Sequence, residues 1–244
     1  MPDPARPAPL EPTLLLTRPE PQAAACARAF GARHPAVPVV IAPVIAIRPR
    51  AFALPAAGAL IVTSRNALPA LPPEARGRVV WCVGEATARA AAAAGLRPAG
   101  WAEDAAGLIA LLRERRPEGP LTHVAGEHRA ADLAGSLAAA GLAVTVTVAY
   151  AQEPRPLGDA ALRLLAGAAP VLLPLFSPRS ARLAAVQIPP GGAPLRVVAM
   201  SAAVASAWRE AAGVPADELK IAARPTSEAV LHALTEFLDP GRAA

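Results

Sequence analysis

The chain has 244 residues, of which 54% are hydrophobic and only 3% aromatic, and a formal net charge of +5. This length exceeds the usual size of one domain, so we expect two domains of roughly 110 to 130 residues each. The scarcity of aromatic side chains argues against the stacking platforms that bind single-stranded nucleic acid. The arginines are scattered singly and form no stripe or zinc-finger pattern, so no nucleic acid partner is expected.

The positive charge has two explanations. It comes almost wholly from arginine, since Lys220 is the only lysine. The abundance of alanine, proline and glycine fits a genome that favours arginine codons. Arginine also binds carboxylates through two parallel hydrogen bonds, so a substrate with several carboxylates is the other explanation. The composition leaves both open.

The N-terminal segment and the cysteines predict the compartment. MPDPARPAPLEP contains an arginine but no apolar signal-peptide core follows it. No apolar run reaches the roughly 18 residues of a membrane span. Cys26 and Cys82 lack metal-ligand spacing and fall in a predicted helix and a predicted strand, so we expect buried, reduced thiols. We therefore expect a cytoplasmic protein that contacts no membrane.

Strands alternate with helices along the whole chain, which is typical of parallel sheets covered by helices on both faces. The sequence therefore predicts an α/β fold. The expected strands lie at 13–17, 37–47, 59–63, 79–83, 121–125, 143–150, 171–176, 196–200 and 219–223.

Four strand–turn–helix units occur twice. The segment at 60–68, LIVTSRNAL, is echoed by LLPLFSPRSA at 172–181. The other matched pairs are 81–96 with 197–214, 101–112 with 222–234, and 13–32 with 121–141. The last pair stands in a different order in its two sets, which predicts two similar domains, one made of 1–38 plus 152–244 and one of 39–151. The long apolar segments at 37–47 and 142–152 are the expected extended strands that cross between the domains.

Polar turns follow most of the predicted strands. In a parallel α/β sheet these carboxyl ends gather ligand-binding loops and helix N-termini, which bind anions. The candidate binding residues in these turns are Arg18, Thr63, Ser64, Arg65, Gly84, Thr87, Gly126, Glu127, Ser177, Pro178 and Ser201. Helix capping alone also explains Ser64, Thr87, Ser177 and Ser201. Because both domains carry such turns, we expect them to line a binding cleft.

The motifs of common cofactor sites are absent. Neither a GxGxxG fingerprint nor a GxxxxGK[ST] loop occurs, so no dinucleotide or P-loop nucleotide is expected. The four histidines show no metal-ligand spacing, and we expect neither a metal nor another cofactor. His128 is the one histidine with a plausible cleft position, although a surface position is favoured for it, and we expect His123 and His232 to be structural or surface residues. With no nucleophile and base set, an enzyme of this sequence would work by positioning and preorganised dipoles.

The motifs TSRNA, VGEAT, AGEHRAADL, VAYAQEP and FSPRSA, in this order and spacing, resemble those of the uroporphyrinogen-III synthase family. The resemblance extends over nearly all of residues 13–238. It implies a monomeric, cofactor-free, two-domain cytosolic enzyme of tetrapyrrole synthesis. Such enzymes close linear hydroxymethylbilane into uroporphyrinogen III, with loss of water and inversion of the last pyrrole ring.

The resemblance also implies residue roles. Tyr150, the only tyrosine of the chain, matches the suspected proton donor of the family, although a phenol packed at the domain junction is the alternative. The residues implied to line the cleft are Thr63, Ser64, Thr87, Gly126, Glu127, Ser177 and Pro178. The eight carboxylates of the substrate suit arginines and helix N-termini. Hydroxymethylbilane synthase is implied as a partner that hands the substrate over.

Two departures from the family pattern keep other functions open. Ser201-Ala202-Ala203-Val204 stands where the family usually has a glycine, a proline and threonines, and Phe176 where bacterial members more usually have threonine. A catalytically weakened paralogue that binds tetrapyrroles, or acts as an interaction module, is therefore the second hypothesis. A two-domain solute receptor is the third, and the missing signal peptide disfavours it.

Overall fold

The computed structural model describes residues 10–129, 132–213 and 216–238. This part of the chain divides into two compact units. The first contains the described residues up to Ala46 and from Pro154 onward, and the second contains Ile47–Glu153. Residues 39–46, which the sequence analysis assigned to the inserted domain, thus lie in the first unit, and residues 152–153 lie in the second.

The elements alternate along the chain. The strands are β1 Thr13–Leu16, β2 Val39–Ile41, β3 Ile45–Pro49, β4 Ala59–Val62, β5 Val79–Val83, β6 Arg97–Ala102, β7 Leu121–Gly126, β8 Val144–Pro154, β9 Val171–Leu175, β10 Leu195–Ala199 and β11 Glu218–Ile221. The α-helices are α1 Glu20–Gly31, α2 Glu85–Ala93, α3 Ala105–Arg115, α4 Leu133–Ala138, α5 Asp159–Leu165, α6 Pro178–Ala185, α7 Ala202–Ala211 and α8 Ser227–Thr235. None of the helices in the described ranges has the length and apolar character that crossing a membrane requires.

The first unit is built on a parallel sheet. Its strand order among the described residues is β11-β10-β9-β1-β2, and each neighbouring pair is parallel. Successive side chains of a strand point to opposite faces. Leu14 and Leu16 of β1 accordingly face one core, where they meet Phe30 of α1 and Leu234 of α8. Leu15 between them is also fully buried, so this central strand is covered on both faces.

The second unit contains a larger sheet. Its order is β3-β8-β7-β4-β5-β6 among the described residues, and the pairs from β8 to β6 are parallel. Leu60 and Val62 of β4 belong to a core that includes Ala91 of α2. Ile61 faces the opposite core with Leu108 of α3. Both sheets are thus parallel-dominated with helices on their faces, and the predicted α/β fold class is confirmed.

The predicted strand at 37–47 is wrong, because two strands of different sheets occupy it. Ala42 N–H still donates to Leu16 O at 2.9 Å, so the chain follows β1 past the end of β2. Pro43 then has no N–H to donate, which favours a break in the ladder. The chain continues as β3, which neighbours β8.

The edge pair β3 and β8 departs from the expected all-parallel arrangement. Arg50 N–H donates to Ala149 O at 2.8 Å, and Arg155 N–H donates to Val44 O at 2.9 Å. Residue numbers rise along one strand as they fall along the other, so the two strands run antiparallel. The segments expected to cross between the domains are therefore neighbours in one sheet.

Two local predictions also need correction. The strand β6, RPAGWA, was not expected, because its proline and glycine interrupt any apolar alternation. It forms an edge strand, where such residues are tolerated. The segment after Ser64 was expected to be a helix of the same kind as the one after Ser177. It is instead a short 3-10 helix, Arg65–Ala70, with Pro69 inside it.

Candidate functional site

The candidate residues of the second unit gather at the carboxyl ends of three neighbouring strands. Ser64 follows β4, Gly126 ends β7, and Tyr150 lies in β8. These strands are adjacent in the order β8-β7-β4. The sheet therefore brings together residues that are 24 to 86 positions apart in the sequence.

Tyr150 is buried in the apolar core that also contains Leu60 and Val62 of β4. Its side chain is only 4% exposed. Burial raises the pKa of the phenol above its ordinary value, and a hydrogen bond with the Ser64 side chain acts in the opposite direction. A raised pKa keeps the phenol protonated at neutral pH. The arrangement thus supplies a buried O–H group in contact with a second hydroxyl.

The backbone of the β7 turn fixes the same tyrosine. Glu127 N–H donates to Tyr150 O at 3.0 Å. A register shift after Ala125 brings Gly126 opposite Tyr150. A Cβ atom on Gly126 would lie 2.6 Å from Cζ of the ring, which is too close for any side chain to be accommodated without movement. The glycine therefore leaves space for the phenol.

An ion pair adjoins this turn. Arg50 Nη2 lies 3.0 Å from Glu127 Oε2, with 48% and 44% of the two side chains exposed. The backbone of Arg50 is bonded to Ala149, next to Tyr150. Arg50 was not among the predicted site residues, since the antiparallel β3–β8 pairing that carries it here spans about a hundred residues and left no local signal. His128, for which a surface position was favoured over a cleft position, is exposed.

Thr63 lies apart from Ser64, because alternation along the strand directs consecutive side chains to opposite faces. Its Oγ1 lies 3.3 Å from Nε2 of His123. His123 is 2% exposed, and its Nδ1 has no hydrogen-bond partner among the described residues. Burial and, secondarily, the charge of Arg129 lower the pKa of His123 to about 4. The imidazole is therefore neutral at physiological pH and orients Thr63.

The turn after β5 presents the start of α2. Gly84 adopts φ 80°, a left-handed value that favours glycine, and no side chain caps the helix. Thr87, buried in the first turn, is not the N-cap residue, so the predicted capping role is wrong for it. Arg65 begins the 3-10 helix after Ser64. The open N-terminus of α2 has the polarity that attracts an anion.

The first unit gathers its candidates in the same way. Arg18 follows β1, Ser177 follows β9 and Ser201 follows β10, and these strands are adjacent. Ser177 Oγ accepts from Ser180 N–H at 3.2 Å, and Ser201 Oγ from Val204 N–H at 3.4 Å. Both serines therefore cap α6 and α7, as Ser64 caps the 3-10 helix by accepting from Asn66 N–H at 3.3 Å. Pro178 is the first residue of α6 and has no N–H to offer.

Contacts with Phe176 and Ser227 fix the direction of the Arg18 side chain. Its guanidinium carbon lies 3.9 Å from the centroid of the Phe176 ring. Its Nη1 donates to Ser227 Oγ, 3.2 Å away at the start of α8. Arg18 was predicted from the sequence, but Phe176 and Ser227, which are 158 and 209 residues away, were not. The first unit thus offers an oriented guanidinium beside helix N-termini, a setting suited to carboxylates.

The described ranges contain no group of three or more His, Cys, Asp and Glu side chains that could hold a metal ion. Cys26 and Cys82 are free and buried. The described residues of the two units also offer hydrogen bonding from hydroxyls, a buried phenol and oriented arginines.

Comparison with known proteins identifies the family. A search of curated protein sequences finds no match. The crystal structure of uroporphyrinogen-III synthetase from Helicobacter pylori 26695 is similar in fold, with a TM-score of 0.64 at 15% identity, over 93% of this chain and 99% of that one. A mutant uroporphyrinogen III synthase from the extremely thermophilic bacterium Thermus thermophilus has a TM-score of 0.52 at 17% identity, over 94% and 99% of the two chains. The model of the family described as Uroporphyrinogen-III synthase HemD matches residues 26–232. The chain therefore belongs to the uroporphyrinogen-III synthase family.

Proposed function

We propose that this chain is a uroporphyrinogen-III synthase. It would convert hydroxymethylbilane into uroporphyrinogen III with loss of water and inversion of ring D, without a cofactor. The observation that carries the proposal is the buried Tyr150 phenol bonded to Ser64, in a chain that matches the family over most of its length.

The reaction needs a proton at one place. The hydroxymethyl group leaves as water once its oxygen is protonated, and an azafulvene cation remains. The cation attacks ring D at its substituted carbon, and the spiro intermediate fragments and recloses with the ring inverted. Reclosure releases one proton, so a phenol that gave a proton at the start regains one at the end. One water is lost overall.

We assign the proton donor to Tyr150. Because burial raises its pKa, the phenol holds its proton at neutral pH but is a weak acid. The hydrogen bond with Ser64 favours the phenolate that forms on proton transfer, since a hydrogen bond to the charged form stabilises it. The positive charge that develops on the azafulvene would also stabilise the negative charge of this phenolate. In this proposal Tyr150 and Ser64 therefore act together in the proton transfer.

The carboxylates of the substrate need cationic partners. Arg18, oriented by Phe176 and Ser227, is one such partner in the first unit. Arg50 is a second, in the second unit. Glu127 carries the same charge as the substrate side chains, so we propose that it binds Arg50 in place of a substrate carboxylate and not the substrate itself. This changes the role that the family resemblance implied for Glu127.

A turnover assay tests the proposal. Hydroxymethylbilane closes spontaneously to the type I isomer, so the enzyme is recognised by formation of the type III isomer. The assay is run with and without EDTA, and we expect the chelator to have no effect. Failure to form the type III isomer at any protein concentration would refute the proposal.

A weakened paralogue that binds tetrapyrroles remains the second candidate. Ser201 Oγ caps α7, and Ala202 and Ala203, both exposed, bring no hydroxyl to that turn. The first unit consequently offers fewer side-chain donors than the family pattern. Saturable binding of uroporphyrinogen III without turnover of hydroxymethylbilane would support this second candidate.

A further inference from the structure

We propose that Phe176 is a positioning residue that holds Arg18 in the orientation needed to bind a substrate carboxylate. The inference rests on the proposed function for the identity of the ligand, but the contact between the two residues does not depend on it.

The register of the first sheet brings the pair together. β1 and β9 pair in parallel, with Thr13 opposite Val171 and Leu14 opposite Leu172. Continued past the strand ends, this register places Arg18 opposite Phe176. Arg18 and Phe176 each lie four residues after Leu14 and Leu172, so their side chains are on the same face of the sheet as these two leucines. That face meets the core shared with α1 and α8. The stacking therefore follows from the strand pairing and is not an incidental surface contact.

The ring and Ser227 constrain the guanidinium from two directions. Phe176 is 9% exposed and belongs to the core, so its ring is a fixed platform. The guanidinium carbon lies 3.9 Å from the ring centroid, well within the range of a cation–π contact. Ser227 Oγ then sets the in-plane direction through Nη1. A planar guanidinium binds a carboxylate through two parallel bonds only when its plane is fixed, so both contacts favour binding.

This gives Phe176 a purpose that the family pattern did not suggest. In the sequence, Phe176 stands where threonine is more usual and therefore marks a lost hydroxyl. The structure shows a ring that stacks on the neighbouring arginine. Compared with the family pattern, the chain thus lacks one weak hydroxyl donor, but its charged donor, the Arg18 guanidinium, is better oriented.

Kinetics of Phe176→Leu provide the first measurement. We expect KM for hydroxymethylbilane to rise about three- to tenfold, the size of a lost cation–π contact, with kcat nearly unchanged. Phe176→Tyr, which keeps the ring, should have the KM of the wild type. Phe237→Leu is the matched control, since Phe237 lies in the same core and its ring also neighbours cations, with Lys220 Nζ at 4.6 Å. This control should lose stability but keep its KM.

The thiol of Cys26 provides a readout that needs no activity. Burial raises its pKa, and the charge and hydrogen bond of Arg18 lower it. If Phe176→Leu releases Arg18, Cys26 should titrate at a higher pH, whereas Phe237→Leu should leave it unchanged. NMR of protein carrying ¹³C-labelled cysteine follows both thiols, and Cys82, whose pKa is shifted by burial alone, is the internal control.

The outcomes separate the two proposals. An unchanged Cys26 titration, or an equal shift in the Phe237→Leu variant, would overturn the positioning role. A shift of Cys26 in an active enzyme whose KM does not change would overturn it as well. A shift of Cys26 in a protein that never forms the type III isomer would support the positioning of Arg18 and refute the proposed function.

Discussion

Gly126 and Tyr150 occupy space that only one side chain can fill. A Cβ on Gly126 would lie 2.6 Å from Cζ and 2.8 Å from the hydroxyl oxygen of Tyr150. Gly126 is not among the described glycines with positive φ, so its backbone alone would accept alanine. The glycine is needed because the register shift after Ala125 directs the tyrosine ring across it.

Gly126→Ala should displace Tyr150 and break its hydrogen bond with Ser64. We expect turnover to fall at least tenfold and the free energy of unfolding to fall by about 1 to 3 kcal/mol, the usual cost of overpacking. Turnover and chemical denaturation measure the two effects. Gly31→Ala, at the end of α1 where nothing lies within 4 Å of the added carbon, should leave turnover unchanged and should not lower the free energy of unfolding. Wild-type turnover in Gly126→Ala would show that the ring position does not matter.

Tyr150→Phe removes the proposed proton donor but keeps the ring. We expect the fold to survive and turnover to fall by about 10² to 10⁴, the range of general acid catalysis. Loss of the hydrogen bond itself should change stability by only about 0.5 to 1.5 kcal/mol. Turnover above about a tenth of wild type, outside the general-acid range, would mean that positioning at Ser64, Thr87 and Ser177 carries the reaction.

His123 should make the stability of the second unit depend on pH. Its folded pKa is about 4 against an ordinary 6.5, so the unfolded chain takes up the proton first. Stability is then fully present above pH 6.5 and is lost as the pH falls toward 4, by up to about 3 kcal/mol. Chemical denaturation across this pH range measures the effect. The decrease in the free energy of unfolding should be smaller in His123→Leu, whereas His232→Gln, a change at an exposed position, should show the same decrease as the wild type. Equal pH profiles of wild type and His123→Leu would contradict the assignment.

Glu127→Gln tests the proposed role of Arg50. Removing the internal carboxylate frees Arg50 for the substrate. Because exposed ion pairs are only modestly strong, we expect KM to fall about two- to fivefold. Arg50→Ala should raise KM. The neighbouring pair Arg48 and Glu153, at 3.2 Å and also exposed, supplies the control Glu153→Gln. Steady-state kinetics at two salt concentrations measure the effect. A higher KM in Glu127→Gln would mean that Glu127 itself assists binding.

Local signals made part of this architecture predictable. Ser177 and Ser201 cap helices through bonds that span three residues, so their type and position sufficed. Contacts set by strand pairing were not predictable in this way. Arg18 stacks on a ring 158 residues away, and Arg50 reaches Glu127 across 77 residues. The alternation of side chains, continued past the end of β4, likewise separates Thr63 from Ser64, although the two are adjacent in the sequence.

The isomer ratio formed from hydroxymethylbilane tests the central claim most directly. Purified protein is mixed with fresh substrate, and the products are oxidised to porphyrins and separated by chromatography. We expect the type III isomer to dominate over the spontaneous type I product, in proportion to the protein added and equally in the presence of EDTA. A product that remains type I at every protein concentration would contradict the account.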